Sequence, residues 1–295
     1  MEMVEVLRGE PWLFAVLAGL LGLLAGSFLN VVIHRLPKMM EREWRADCAA
    51  LNASAPETTA LPPYNLVVPR SACPACGAPI TALQNSPVLS WLALRGRCAK
   101  CRAPISVRYP LVELATAAVT AAVAWHYGWG WEATCAIGIS WTLIALTGID
   151  IDTQLLPDSL TLPLLWAGIV AAAYLGRGAA TIPVDLKSAV LGAVFGYLSL
   201  WCVFHLFKLI AGKEGMGFGD FKLFAALGAW LGWQMLVPVM LISAATGAIV
   251  GIVLIVLKRR GREVPIPFGP YLATAGWVVM MWAPVLVAPW WQLGR

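Results

Sequence analysis

The sequence predicts an all-α protein, a polytopic membrane helix bundle of about eight spans with one small cysteine-rich domain after the first span. Three observations support this fold class. Hydrophobic residues make up 60% of the 295 residues and charged residues only 13%, which is too apolar for an ordinary soluble domain. The apolar residues are gathered into long runs that polar segments separate. Four of the seven cysteines form two Cys-x-x-Cys pairs in one strongly basic segment.

Eight apolar segments are predicted to be helical spans. The first follows an acidic N-terminal stretch and is long enough to stay in the membrane rather than be cleaved as a signal peptide. We expect this span to end at His34–Pro37, where charge and a proline stop the helix. The sixth segment is short, and its separation from the seventh is the least distinct. The predicted spans are 12–33, 111–125, 133–149, 157–174, 186–209, 221–233, 236–257 and 270–287.

The spans divide the chain into three predicted domains. Residues 1–37 form the first transmembrane helix, residues 38–110 a cysteine-rich domain, and residues 111–295 a seven-span membrane domain. Within the second domain, residues 38–69 are polar and rich in Ala, Glu and Pro. This composition predicts an irregular excursion outside the bilayer.

The basic residues predict the orientation of the chain. With eight spans, seventeen of the twenty-one Lys and Arg residues fall in one set of loops. The positive-inside rule places this set in the cytoplasm and both termini outside. The set includes the cysteine-rich segment and the ends of the spans that carry Asp150 and Asp220. Because the basic residues are divided among loops, the net charge of +5 does not indicate nucleic-acid binding.

The cysteine pairs indicate a metal site. Cys73-x-x-Cys76 and Cys98-x-x-Cys101 are separated by twenty-one residues, a spacing that can close a tetrahedral four-thiolate site. A reducing cytoplasmic location favours a zinc ribbon over the alternative of disulfides or unrelated thiols. Four protein ligands leave no open position, so the zinc is expected to be structural and needed for folding. The remaining cysteines are expected to be free: Cys48, Cys135 and Cys202.

Two aspartates stand at the ends of apolar segments. Asp150 ends the run 139–149, and Asp220 closes a glycine-rich turn just before the run 221–233. A carboxylate at the membrane edge is costly and is therefore a functional candidate. The span count places both acids at one face, where one could act as general acid while the other activates water. We predict that Asp150 and Asp220 form an aspartyl-protease dyad, in which the sequence does not decide which residue is the base.

The glycines before Asp220 predict a site that a polypeptide can approach. Gly217 and Gly219 remove side chains beside the acid, so that a substrate backbone could come close or the chain could take a positive φ. The structural alternative is that Asp220 caps the sixth helix and the glycines only form a loop.

Other charged residues near the two aspartates have several possible roles. Asp152 and Asp158 compete with Asp150; Asp152 is expected to be solvated, and Asp158 to face the dipole of the fourth span as a structural or substrate-positioning acid. Lys222 could tune the pKa of Asp220, contact a substrate carboxylate, or extend to the cytoplasmic surface. Glu113, just inside the second span, could pair with a basic loop residue.

Together these segments resemble the type IV prepilin peptidases, polytopic aspartyl proteases of the GxGD type. The run GSFLNVVIHRLP at 26–37 resembles the first-helix motif of that family. The double Cys-x-x-Cys, with SWLALRGR before Cys98 and ISVRYP after Cys101, resembles its cytoplasmic domain. Asp150 with Leu156-Pro157-Asp158 and the run 217–220 resemble its two active-site motifs. The resemblance covers nearly the whole chain, and the polar stretch 38–69 is the main departure.

The resemblance implies a bacterial inner-membrane enzyme with its active site facing the cytoplasm. Its substrates would be type IV prepilins and the pseudopilins of type II secretion, cut after a glycine that follows a basic leader. Many members of the family also methylate the new amino terminus with S-adenosylmethionine. The sequence contains no recognisable donor-binding glycine fingerprint, so this cofactor rests on the resemblance alone.

Two other functions stay open at this stage. A presenilin-like intramembrane protease would use the same GxGD chemistry on a broader set of substrates. A proton-coupled carrier would use the acids as a relay, but it predicts acids at mid-bilayer and internal repeats, and the sequence has neither. The sequence does not indicate which pilins are processed or which oligomeric state the protein adopts.

Overall fold

The structure is a computed structural model that describes residues 2–51, 62–81, 83–175, 184–212, 215–257 and 267–292. In these ranges the chain forms ten α-helices, a 3-10 turn at Trp233–Met235 and two isolated β-bridges, with no β-strand. The helices are α1 (Glu2–Gly9), α2 (Pro11–Leu51), α3 (Leu89–Ala93), α4 (Arg108–Tyr127), α5 (Trp131–Thr153), α6 (Asp158–Leu175), α7 (Leu186–Ala211), α8 (Phe218–Leu231), α9 (Leu236–Val256) and α10 (Gly269–Gln292).

The eight predicted spans correspond to α2 and to α4 through α10. By length and composition alone, five helices in the described ranges are able to cross a membrane: α2, α5, α6, α7, and α9 together with the 3-10 turn before it. Among the other three, α8 has only 14 residues. The all-α membrane bundle is therefore confirmed. Eight helices match predicted spans, and within the described ranges five of them have the length and hydropathy of a membrane span.

The first long helix does not end where the sequence predicts. α2 runs through Pro37 and continues to Leu51, so the predicted stop at His34–Pro37 is wrong. The irregular chain predicted after Lys38 is also wrong as far as Leu51. Residues 38–51 are mostly strong helix formers, and Arg45 pairs with Glu41 one turn earlier at 2.6 Å, which adds helix stability. A proline inside a helix costs about 3 kcal/mol. The helix formers and the ion pair of residues 38–51 offset this cost. Residues 52–61 lie outside the described ranges.

The chain divides into two compact units, Met1–Trp125 and His126–Arg295. In the first unit, α2 packs on α4 through glycines. A Cβ added at Gly22 would lie 2.7 Å from Thr120 Oγ1, and one added at Gly26 would lie 2.7 Å from the Cα of Glu113. Small residues that let backbones approach so closely are typical of helix pairs in membranes.

In the second unit, α8 is the most enclosed helix. All of its residues from Asp220 to Leu231 are buried except Lys222, and α6, α7, α9 and α10 all contact it. α7 approaches it through Gly192 and Gly196, four residues apart. Gly192 faces the main chain of Gly228, and a Cβ added at Gly196 would lie 2.7 Å from the Phe224 carbonyl oxygen. The start of α8, where Asp220 lies, is therefore fixed by its neighbours.

Candidate active site and metal centre

Asp150 lies in the last turn of α5, where its side chain is buried. The helix ends at Gln154, which takes a left-handed conformation (φ 56°) and donates its N–H to the Asp150 carbonyl at 2.9 Å. Asp150 is only 4% exposed. Its Oδ2 accepts a hydrogen bond from the main-chain N–H of Gly269 at 3.0 Å, so the carboxylate is held by a second helix, α10.

Asp220 lies in the first turn of α8 and is 6% exposed. Gly217 is the N-cap of this helix. Its carbonyl accepts the Asp220 N–H at 3.2 Å. Leu156 links the two positions. A Cβ added at Gly219, next to Asp220, would lie 2.7 Å from Leu156 Cβ, and one added at Gly269, which donates to Asp150, would lie 3.2 Å from Leu156 Cδ2. The fold thus places the two acids on either side of one residue.

This arrangement permits a specific chemistry. Two neighbouring carboxyl groups in a poorly solvated site share a proton more readily than they both ionise. One group can then donate a proton while the other accepts one, and the pair titrates as a unit. Such a pair can activate water for hydrolysis of an amide bond.

The two glycines before Asp220 have different surroundings. A Cβ added at Gly219 would lie 2.7 Å from Leu156 Cβ, so this glycine allows the loop after α5 to reach α8. A Cβ added at Gly217 would lie 3.9 Å from the Asp220 carboxylate and meet no closer atom among the described residues, so Gly217 is not required by packing. Neither glycine has a positive φ. The close approach of Leu156, rather than a positive φ, therefore explains why a glycine occupies position 219.

The two charged residues predicted beside the dyad contact each other. Lys222 Nζ donates to both carboxylate oxygens of Asp158, at 2.6 and 2.7 Å. Their side chains are 29% and 55% exposed, so the ion pair lies at the edge of the site. It joins the first turn of α6 to the first turn of α8. Asp152 is exposed and lies in the last turn of α5 rather than in the turn after it.

Gly269 is the part of the site that the sequence analysis missed. Its N–H donates a hydrogen bond to Asp150, although the residue has no side chain that would suggest a functional role. The available signal was Phe268-Gly269-Pro270, a glycine followed by a proline at the start of an apolar span, which is typical of a helix N-terminus with a special main-chain role.

The four paired cysteines lie on two equivalent turns. In each turn the N–H of the first cysteine, Cys73 or Cys98, donates to the carbonyl five residues later. The carbonyl of the same cysteine accepts from the N–H four residues later, and all four hydrogen bonds measure 2.9–3.0 Å. The residue after the second cysteine is left-handed in both turns: Gly77 at φ 67° and Arg102 at φ 58°. The chain therefore presents both pairs of sulfurs in the same way.

The sulfur positions fit a tetrahedral metal site. The four Sγ atoms lie within 4.8 Å of one another, and those of Cys73 and Cys101 are 3.8 Å apart. A four-thiolate zinc site with bonds of about 2.3 Å has edges of about 3.8 Å. All seven cysteines are free thiols, so the disulfide alternative is not adopted.

Two thiols of the cluster differ in acidity. Main-chain hydrogen bonds from Cys101 and Lys100 lower the pKa of Cys98 to about 6. A main-chain hydrogen bond from Ala103 lowers the pKa of Cys101, but the thiol of Cys76 and other neighbours raise it to about 11. Cys98 therefore ionises more readily than Cys101, and a divalent cation bound by both would offset the repulsion between their thiolates.

Glu113 contacts the main chain rather than a basic residue. It is buried in α4, and its Oε2 accepts the N–H of Val88 at 2.8 Å and a hydrogen bond from the Ser27 side chain. Nearby, Asn30 Nδ2 donates to the Tyr109 carbonyl at 3.1 Å. Asn30 of the first-helix motif thus fastens α2 to α4, and Glu113 fastens α4 to the chain that leads into α3.

The chain matches two protein families over most of its length. Residues 20–127 match the bacterial peptidase A24 N-terminal domain, and residues 137–252 match the type IV leader peptidase family. Both candidate aspartates lie in the second match, and all four paired cysteines lie in the first.

Curated relatives cover nearly the entire chain. The prepilin leader peptidase/N-methyltransferase of Aeromonas hydrophila is 55% identical over 280 residues, which are 95% of this chain and 94% of the relative. The protein of the same description from Pseudomonas aeruginosa is 52% identical, with 96% and 95% covered, and that from Stutzerimonas stutzeri is 49% identical with 100% of both covered. No solved structure matches the chain significantly. The chain belongs to the type IV leader peptidase family.

Proposed function

We propose that the protein is a membrane aspartic endopeptidase that removes the basic leader of type IV prepilins and pseudopilins after a glycine. The observation that carries this proposal is the pair of buried aspartates, Asp150 and Asp220, on either side of Leu156 in a member of a leader peptidase family. Membership in this family also favours hydrolysis over the proton-coupled carrier, which would use the same acids only to move protons.

In the proposed mechanism the two aspartates use one water molecule. The ionised carboxyl group takes a proton from water as the water oxygen attacks the scissile carbonyl. The protonated group gives its proton to the carbonyl oxygen. As the tetrahedral intermediate collapses, the C–N bond breaks. The protonated carboxyl group gives its proton to the leaving amine, and the ionised group takes the proton of one hydroxyl, so the dyad again holds a single proton. The space around Gly217, where an added Cβ would meet no described atom closer than 3.9 Å, is the proposed approach of the substrate backbone.

Asp158 and Lys222 have a site-shaping role in this proposal. Because each is engaged with the other, neither is needed as an acid or base in the reaction. Their ion pair sets the separation of α6 and α8 at the entrance to the dyad. The alternative in which Lys222 binds a substrate carboxylate requires this ion pair to open.

The cysteine site is proposed to hold one structural zinc ion. Cys73, Cys76, Cys98 and Cys101 would supply four thiolates, which fill a tetrahedral site and leave no position for a catalytic water. The zinc would supply folding free energy to a segment with little buried apolar surface.

Methylation of the new amino terminus is proposed from the relatives, which are described as N-methyltransferases. S-adenosylmethionine is the proposed methyl donor on the same ground. No described residue is assigned to its binding.

The active site is proposed to face the cytoplasm of a bacterial inner membrane. The loops that continue from the ends of α5 and α7 belong to the set with seventeen of the twenty-one basic residues, and such loops stay inside the cell. Labelling single cysteines introduced at exposed Asp152 and at Gly215 tests this orientation. Reagents that cannot cross the membrane should label these positions in inverted vesicles and not in intact cells.

Mass spectrometry of a synthetic prepilin incubated with the purified protein tests the main proposal. The wild-type protein should release the leader, and with added donor the product should gain one methyl group. Asp150→Asn and Asp220→Asn should each lower the cleavage rate roughly a thousandfold or more. Asp152→Asn is the matched control, because Asp152 is an exposed acid in the same turn. Cleavage by either dyad variant at the wild-type rate would contradict the mechanism.

A prepilin whose leader glycine is replaced separates this activity from a broader, presenilin-like one. A leader peptidase should stall on that substrate, whereas a broad intramembrane protease should still cut it. Comparable rates on both substrates would favour the broader activity.

A further inference from the structure

The N-terminus of α10 has one main-chain donor that the helix itself does not use. The Phe268 carbonyl accepts the N–H groups of Tyr271 and Leu272, both at 3.1 Å, so Gly269 is the first residue of the helix. The first N–H groups of a helix have no acceptor within it, and Pro270 has no N–H at all. The N–H of Gly269 is directed instead to Asp150 Oδ2 at 3.0 Å, in a buried position.

Only a glycine allows this contact. A Cβ added at position 269 would lie 2.6 Å from Asp150 Oδ2 and 3.2 Å from Leu156 Cδ2, so any side chain would push the carboxylate away from the N–H. Leu156 also packs against Gly219, where an added Cβ would meet its Cβ at 2.7 Å. The leucine thus lies against glycines of both α10 and α8.

We propose that Gly269 is a positioning residue for peptide cleavage. Its N–H holds Oδ2 of Asp150 and so fixes the rotation of the carboxylate, which leaves Oδ1 to bind the attacking water and to share a proton with Asp220. This inference rests on the proposed function of Asp150. It adds α10 to the elements that build the site, and it assigns a role to a residue that has no side chain.

The sharpest test removes the N–H and adds no atoms. Glycolic acid, introduced at position 269 by nonsense suppression in cell-free synthesis, replaces the amide N–H with an ester oxygen. We expect kcat on the synthetic prepilin to fall about 10- to 100-fold, because a hydrogen bond to a charged group is lost. KM should stay within about threefold of the wild-type value, because the substrate keeps its other contacts.

Gly269→Ala offers a second, genetically encoded test, and Gly276→Ala is its matched control. Position 276 lies in the same helix, and a Cβ added there would meet Leu227 Cδ2 at 2.5 Å, so this variant also strains α10 but does not touch the carboxylate. Gly269→Ala should lower kcat by at least about 100-fold, whereas Gly276→Ala should lower the melting temperature and leave kcat within about threefold of wild type.

The outcomes distinguish this inference from the proposal on which it rests. If Asp150→Asn is inactive but the ester protein keeps a kcat within about twofold of wild type, the role of Gly269 is overturned and the dyad stands. If Asp150→Asn stays active, the proposed function itself fails. If both alanine variants lose stability and kcat equally, Gly269 only packs the helix, which also overturns its positioning role.

Discussion

The ion pair of Asp158 and Lys222 joins two residues that follow the proposed active-site aspartates in sequence. Lys222 follows Asp220 by two positions, and its ammonium group contacts both carboxylate oxygens of Asp158. Because both side chains are partly exposed, such a pair contributes only about 0–1 kcal/mol to the free energy of unfolding. Its effect should therefore be on the geometry of the site.

Exchanging the two charges tests this role. Asp158→Asn and Lys222→Met should each lower kcat/KM about tenfold, with a change of less than about 1 kcal/mol in the free energy of unfolding. The double variant Asp158→Lys with Lys222→Asp should recover much of the loss, because the pair is restored in reverse. Kinetics on the synthetic prepilin measure this. A double variant as inactive as the single variants would indicate that Lys222 acts on the substrate or on Asp220.

At the residue scale, the sequence indicated the groups whose chemistry lies in their side chains. Asp150, Asp220 and the four paired cysteines stand at spacings and membrane depths that require an explanation. The sequence did not indicate partners that act through the main chain. Gly269 binds Asp150 by its N–H, and Glu113 binds the N–H of Val88. Every residue type except proline carries such a group, so only the three-dimensional structure identifies the donor.

At the scale of elements, the contact between α7 and α8 determines where Asp220 lies. Gly192 and Gly196 let the two helices approach until main chain meets main chain. In a membrane, where apolar surfaces gain little by leaving lipid, close packing of small residues is a main source of helix association.

Gly192→Leu is expected to separate α7 from α8. The added side chain would meet the main chain of Gly228, which cannot move aside, so we expect a loss of more than about 3 kcal/mol in stability together with loss of cleavage. Gly138→Leu is the matched control, because that exposed glycine of α5 has no atom within 4 Å of an added Cβ. The melting temperature and the yield of monodisperse protein in detergent report the difference. Equal behaviour of the two variants would contradict this packing.

The left-handed residues of the two cysteine turns should respond in opposite ways to substitution. Gly77→Ala introduces a Cβ at positive φ and should destabilise its turn by about 1 kcal/mol, whereas Arg102→Gly should stabilise the other turn by a similar amount. Zinc affinity, measured by competition with a chelator, should fall for the first variant and rise or stay constant for the second. A fall for Arg102→Gly would show that its side chain is needed.

Element positions followed from the sequence more closely than element ends. Apolar runs located α5, α6 and α7 because each has the length of a span. The predicted end of α2 is wrong, because the helix formers after Pro37 outweigh the helix-breaking effect of the proline. The sequence did predict that the α8 segment is short, but not that glycines of α7 pack against it. That contact depends on which faces meet, which hydropathy does not encode.

At the scale of the whole molecule, we propose that the metal centre and the dyad have separate tasks. Removing the metal with a chelator, or replacing Cys76 with Ser, should release about one zinc ion per chain and lower the stability of the cysteine-rich segment. Metal content by mass spectrometry of the elements and the mass of the cleaved prepilin measure both effects. The cut should stay at the same bond even where the rate falls. A shifted cleavage position would mean that the cysteine site selects the bond.

Hydropathy was sufficient to predict an all-α membrane protein but not how each helix meets lipid. Hydropathy depends only on the composition of the segment itself, and it does not show that α6, α7, α9 and α10 cover α8. A helix so enclosed needs neither the length nor the surface of a lipid-facing span.

The length of α8 has a consequence for how the chain enters the bilayer during synthesis. Fourteen residues rise about 21 Å, against a hydrocarbon thickness of about 30 Å. A segment this short inserts poorly on its own. We therefore expect the translocation machinery to release it into the bilayer only once α7 is available to pack against it. Biogenesis of the catalytic half would then proceed by helical hairpins rather than by single helices.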